Sequence, residues 1–130
     1  MKEDKEKIIQ QWYAKADSDI IMARKAIDSP PIVLDGACFH CQQAVEKYLK
    51  AYIIYQGKEV IKTHDLTLLL KFCSEFDYDF DTIKLKDLEV FAVDIRYPDD
   101  ARIPTLEEAK EYLQIAEAVK ELVRKKIILI

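Results

Sequence analysis

Half of the 130 residues are apolar or aromatic and 34% are charged, a globular composition long enough to bury a core, which excludes a disordered tail. Two glycines, four prolines and no asparagine are too few tight-turn formers for a β-sandwich or barrel, and favour a few long helices. Twenty basic against twenty-four acidic side chains, a net charge of −4, exclude a generally cationic nucleic-acid coat, although residues 1–65 carry ten of each sign and leave room for a local cationic site.

In chain order, residues 5–28 predict a first helix. Ile9, Trp12, Tyr13, Ala16, Ile20, Ala23 and Ile27 recur at spacings of three and four, and Ser29-Pro30-Pro31 stops the run. A second helix is predicted over about residues 33–56 from Leu34, Ala37, Cys38, Cys41, Ala44, Val45, Tyr48, Leu49 and Tyr52, with Gly57 as its terminator. A third begins at Thr63 or Asp65, either of which can cap free amides, and buries Leu66, Leu69, Leu70 and Cys73. The acidic, aromatic stretch 75–81 reads as a loop. Leu88, Phe91, Ala92 and Ile95 predict a fourth helix that ends before Pro98. Thr105 with Glu108 three residues later is a capping box that opens the last helix, whose buried face is Ala109, Tyr112, Leu113, Ala116, Val119 and Val123. The expectation is an all-α protein, an antiparallel up-and-down bundle of four to five helices, with residues 1–130 forming a single helical domain.

Residues 1–7 hold six charges and no apolar stretch, so no export signal is expected, and no apolar run reaches the roughly 18 residues that span a bilayer. Three cysteines without an export signal suit reduced thiols in the cytoplasm. The terminal Ile127-Ile128-Leu129-Ile130 is expected in the core or at a subunit contact.

Four constellations could carry chemistry. Cys38 and Cys41, with Cys73, His40 and His64, have the donor types of a zinc site. The cysteines nevertheless fall inside helical apolar stripes, so the preferred reading is buried core thiols and neither metal nor cofactor. Gln43, Glu46, Lys47 and Lys50 lie at i, i+3, i+4 and i+7 on the second helix. They form either a grip for a phosphate and a base, or a solvated face with a Glu46–Lys50 pair. In Lys62-Thr63-His64-Asp65-Leu66 a lysine and a histidine meet a helix N-terminus suited to phosphate, although an Asp65 cap would occupy the same amides. Arg96, before Tyr97-Pro98, is either a phosphate fork between helices or a partner for the last carbonyls of its own helix.

Trp12…Ala16…Asp19-Ile20…Ala23, the run Cys38-Phe39-His40-Cys41-Gln42-Gln43-Ala44-Val45-Glu46-Lys47-Tyr48-Leu49-Lys50-Ala51, then Thr63-His64-Asp65-Leu66 and Arg96-Tyr97-Pro98 together resemble a HEPN domain. The resemblance extends from about residue 12 to the end of the last helix. It implies an up-and-down bundle, commonly a homodimer, associated with nucleotide or RNA binding. It also implies a partnership with a separately encoded minimal nucleotidyltransferase, often in a toxin–antitoxin-like pair. Ribonuclease members carry an arginine followed a few residues later by a histidine, which assists proton transfer. No histidine follows Arg96; the chain has only His40 and His64. The expectation is therefore a non-catalytic, cytoplasmic binding module with a nucleotide or phosphate site at Gln43, Lys47, Lys50, His64, Asp65, Arg96 and Tyr97. A ribonuclease using Arg96 with a relocated histidine, and a ligand-free dimerisation module in which the polar residues lock helices, are the rivals.

Overall fold

The computed structural model describes residues 2–92 and 102–129. Within them the protein is all-helical: α1 spans Lys2–Asp28, α2 Leu34–Tyr55, α3 Leu66–Phe76 and α4 Leu106–Lys126. The described residues contain no strand, and none of their helices is long and apolar enough to cross a membrane.

The first two helices run antiparallel. Lys5 stands over the Tyr55 ring, Tyr13 packs on Tyr48, Asp19 meets His40, and the Val33 amide donates to the Ala26 carbonyl at 2.9 Å. Each step up α1 is thus a step down α2, the geometry a five-residue connection dictates. Likewise α4 runs antiparallel to α1, since Arg124 faces Tyr13 and Asp17 while Glu117 faces Arg24. Helix α2 is the hub, in contact with all three other helices. Its apolar faces meet the others in one core that contains Ile9, Ile20, Val45, Leu49, Leu69, Leu88, Val119 and Val123. The Cys73 thiol donates to the Leu49 carbonyl at 3.6 Å, a contact that pins α3 to this hub.

Local chemistry sets the ends. Gly57, at φ +80°, supplies the left-handed residue just past α2 that a side chain would resist. Asp65, not Thr63, caps α3: its carboxylate accepts from the Leu68 amide at 3.1 Å, while the Thr63 hydroxyl accepts from the Asp65 amide. The Thr105–Glu108 capping box closes in both directions at the start of α4.

Two predicted segments differ. The stretch 75–81 is not simply a loop: α3 runs to Phe76, and a 3-10 turn follows at Tyr78–Thr82. That turn drives Phe80 into the core, 4.5 Å from the Tyr52 ring. Of the fourth predicted helix, the described part is a 3-10 turn, Leu88–Phe91. Leu88 and Phe91, three apart, share one side of a 3.0-residue turn, which buries both. Asp87, at its N-cap, makes no cap bond and instead accepts from the Tyr112 hydroxyl and pairs with Arg102. Ile95, Arg96, Tyr97 and Pro98 of that prediction lie outside the described residues. At the C-terminus Ile127 is buried, whereas Ile128 is exposed.

Candidate functional site

The three cysteines are the core residues their spacing predicted. Cys38, Cys41 and Cys73 are all buried and free, and burial pushes the thiols of Cys38 and Cys73 up to about 12 and Cys41 higher still. Thiols held protonated at neutral pH are poor nucleophiles.

Two polar clusters form beside each other on α2. In the first, Glu46 is 5% exposed. Its Oε1 accepts from His64 Nδ1 at 2.7 Å and from Gln42 Nε2 at 3.3 Å, and its Oε2 accepts from Lys50 Nζ at 3.0 Å. Gln42 also donates to the His64 carbonyl at 3.3 Å, and Gln43 donates to Gln42 at 2.7 Å. Gln42, Glu46 and Lys50 are successive i, i+4 neighbours, so one ridge of α2 presents all three to the segment that enters α3. In the second cluster, Asp19 of α1 is 7% exposed and lies between His40 Nδ1 at 2.8 Å and Lys47 Nζ at 2.5 Å. His40 and Lys47 are two turns apart on α2, and Asp19 bridges them from across the α1–α2 seam.

This corrects the picture of a solvated face. The predicted Glu46–Lys50 pair exists, but both members are buried, because α1 and the chain before α3 cover them. A buried charge is tolerated only when paired and hydrogen-bonded, and each buried carboxylate here has a cation and a histidine. Both lysines are consequently neutralised within the fold. His64 differs: its side chain is 65% exposed although Nδ1 is held by buried Glu46. A carboxylate only accepts, so Nδ1 carries a proton and Nε2 is the free ring position, without a partner among the described residues. That nitrogen can donate to a phosphate oxygen when the ring is protonated, or take a proton from a hydroxyl when it is neutral.

Of the predicted site residues, the structure brings Gln43, Lys50 and His64 into the Glu46 cluster and Lys47 into the Asp19 cluster. Asp65 is next to His64 but spends its carboxylate on the α3 cap, where it competes for the amides a phosphate would use. Arg96 and Tyr97 lie outside the described residues. Sequence reasoning missed Asp19, Gln42 and His40. For Asp19 a signal was present: an acid three residues after Ala16 and four before Ala23, inside an apolar stripe, requires a buried partner.

A third polar cluster ties the opposite side together. The Tyr48 hydroxyl donates to Asp17, which also pairs with Arg124 at 2.7 Å and Lys120 at 3.3 Å. Burial alone would raise the Asp17 carboxyl, but the Tyr48 hydroxyl and the two cations outweigh it and hold the group below its ordinary value. Among the described residues no three His, Cys, Asp or Glu side chains converge as a metal-binding group.

The HEPN domain family model matches residues 9–126, nearly the whole chain, and its span includes the Glu46 and Asp19 clusters, most of α1 and all of α2, α3 and α4. No curated protein and no solved structure matches the chain. The all-helical architecture, built around an α2 that carries the glutamine–glutamate–lysine ridge, agrees with that match, and the chain belongs to the HEPN domain family.

Proposed function

We propose that this HEPN protein is a nucleotide- or RNA-binding module whose phosphate contact is His64, backed by the Gln42–Glu46–Lys50 ridge. The observation that carries this reading is His64 itself: an exposed imidazole oriented by a buried carboxylate, with Nε2 turned free of the fold. Proteins seldom bury a carboxylate, a lysine and a glutamine to hold a ring unless its orientation matters. Lys47 and Lys50 act through that scaffold, since their charges are already answered by Asp19 and Glu46. Arg96 and Tyr97 are assigned to the same site on the family motif. The module works as a homodimer beside a separately encoded minimal nucleotidyltransferase, in a two-component arrangement of the toxin–antitoxin kind. The partner supplies the metal-binding carboxylates of the transfer reaction.

Amide NMR during titration with nucleoside monophosphates and short RNA tests the binding reading. Resonances of residues 62–66 should shift, and His64→Ala should abolish the shift. Unchanged spectra at millimolar ligand, both alone and with the nucleotidyltransferase present, would overturn it. One observation favours a second reading. The Glu46–His64 pair has the form of an oriented general base, so His64 could serve a ribonuclease whose arginine is Arg96. Cleavage of structured RNA lost in both His64→Ala and Arg96→Ala would establish that activity; intact RNA would sink it.

A further inference from the structure

Beside the Glu46 cluster, on α1, is a feature that neither the Glu46 nor the Asp19 cluster accounts for. Trp12 is half-buried: part of its indole packs on the core, and the rest borders a cavity of about 260 Å³ together with Gln11 and Lys15. The Lys50 ammonium lies 6.0 Å from the centre of the same ring. Lys50 also holds Glu46, and Glu46 holds His64, so indole, ammonium, carboxylate and imidazole form one continuous chain of contacts from cavity to candidate phosphate contact. The antiparallel pairing of α1 with α2 sets Trp12 level with Lys50, one helical turn from Glu46.

From this arrangement we infer that Trp12 is a stacking platform for a nucleobase, and that the unit bound is a base with its attached phosphate. The inference rests on the phosphate reading of His64 and adds the element that distinguishes a nucleotide from a simple phosphate ester. A flat aromatic face accepts any base by stacking. The cavity is smaller than the roughly 300–1,000 Å³ of sites that enclose whole drug-sized ligands, which suits one heterocycle with its ribose and phosphate left outside. Gln11, one residue before Trp12, carries an amide that both donates and accepts, as the edge of a base requires. Lys15, one turn further along, sets a cation at the rim.

Trp12 is the chain's single tryptophan, so its fluorescence reports on the platform alone. The intact protein is titrated with adenosine 5′-monophosphate, with ribose 5-phosphate and with a short oligoadenylate. Calorimetry on the same samples gives affinities independent of the fluorophore. Saturable quenching by the two adenine ligands but not by ribose 5-phosphate is expected, and Trp12→Leu should weaken the adenine ligands by roughly tenfold or more. Trp12→Phe, which keeps the packing and a smaller ring, should fall between, and thermal melts confirm that both variants fold. Monophosphate binding as tight as the oligonucleotide assigns the site to a free nucleotide; binding of the oligonucleotide alone assigns it to RNA. If ribose 5-phosphate binds as tightly as the monophosphate and Trp12→Leu changes neither, the platform is refuted while the phosphate reading stands. If none of the three ligands binds, with or without the nucleotidyltransferase, both fall.

Discussion

Glu46 is the residue on which most of the candidate site depends. It sits on the inner edge of the α2 polar ridge, 6% exposed at its side chain, and answers Lys50, His64 and Gln42 at once. Replacement by leucine leaves the Lys50 ammonium buried without its partner, which typically costs roughly 3–5 kcal/mol. Lys50→Met should cost less, because Glu46 keeps His64 and Gln42 as partners. The double change Glu46→Leu with Lys50→Met should recover much of the loss, since well-packed apolar replacements of buried pairs are often neutral. Urea denaturation of the four proteins measures the coupling; additive losses would show that the pair does not act as a unit. The same comparison separates the scaffold from the ligand, because the double variant can be stable and still lose the orientation of His64. Sequence spacing placed Glu46 and Lys50 one turn apart, but burial could not be read from it. Which face of α2 is covered depends on where α1 and the entry to α3 lie.

Among the elements, α1, α2 and α4 are tied across their shared seam by Asp17. It receives the Tyr48 hydroxyl from α2 and Arg124 and Lys120 from α4, while Arg124 also stands 4.3 Å from the centre of the Tyr13 ring. The folded state lowers the Asp17 carboxyl despite its partial burial. A group lowered on folding contributes stability that is complete above its unfolded value, about 3.9, and that disappears as pH falls through the folded value. Asp87, lowered first by the Tyr112 hydroxyl, acts in the same direction. Stability should therefore fall on acidification below about pH 4, and Asp17→Asn should flatten that limb while lowering stability at neutral pH. Chemical denaturation from pH 3 to 7 checks this, and an unchanged acid limb would remove Asp17 as its cause. The fourth predicted helix shows the limit of periodicity at this scale. Leu88 and Phe91 are buried as predicted, but two apolar residues three apart serve a 3-10 turn as well as an α-helix.

For the whole molecule, net charge is a poor guide to its surface. Arg24, Lys86, Arg102, Lys120, Arg124 and Lys126 are all in ion pairs, as are Lys47 and Lys50. Eleven of the nineteen described lysines and arginines, Lys15 and Lys62 among them, are in no ion pair with a described carboxylate. If RNA is nevertheless held at one stacked nucleotide and not along these cations, binding should depend only weakly on salt, with a log–log slope near −1.4 for two phosphate contacts on a single strand. A filter-binding or fluorescence series over salt concentration reads the slope directly. A value several times steeper would mean that RNA lies along a cationic track and is not held at one stacked nucleotide.

The amino-acid sequence by itself determined the helical class, most of the helix ends and the identity of the core. Those follow from local causes: three-and-four spacing of apolar residues, the Thr105 box, the Asp65 cap and the backbone freedom of Gly57. It also carried the family motif that brings Gln43, Glu46, Lys47, Lys50 and His64 under one description. Only the tertiary structure decided which of those charges are spent inside the fold and which remain outside. Asp19 neutralises Lys47 across 28 positions, Glu46 reaches His64 across 18, and Trp12 comes level with Lys50 because α1 and α2 run in opposite directions. A charge's availability depends on its nearest partner in space. In a bundle that partner is on another helix, where chain spacing carries no information about it.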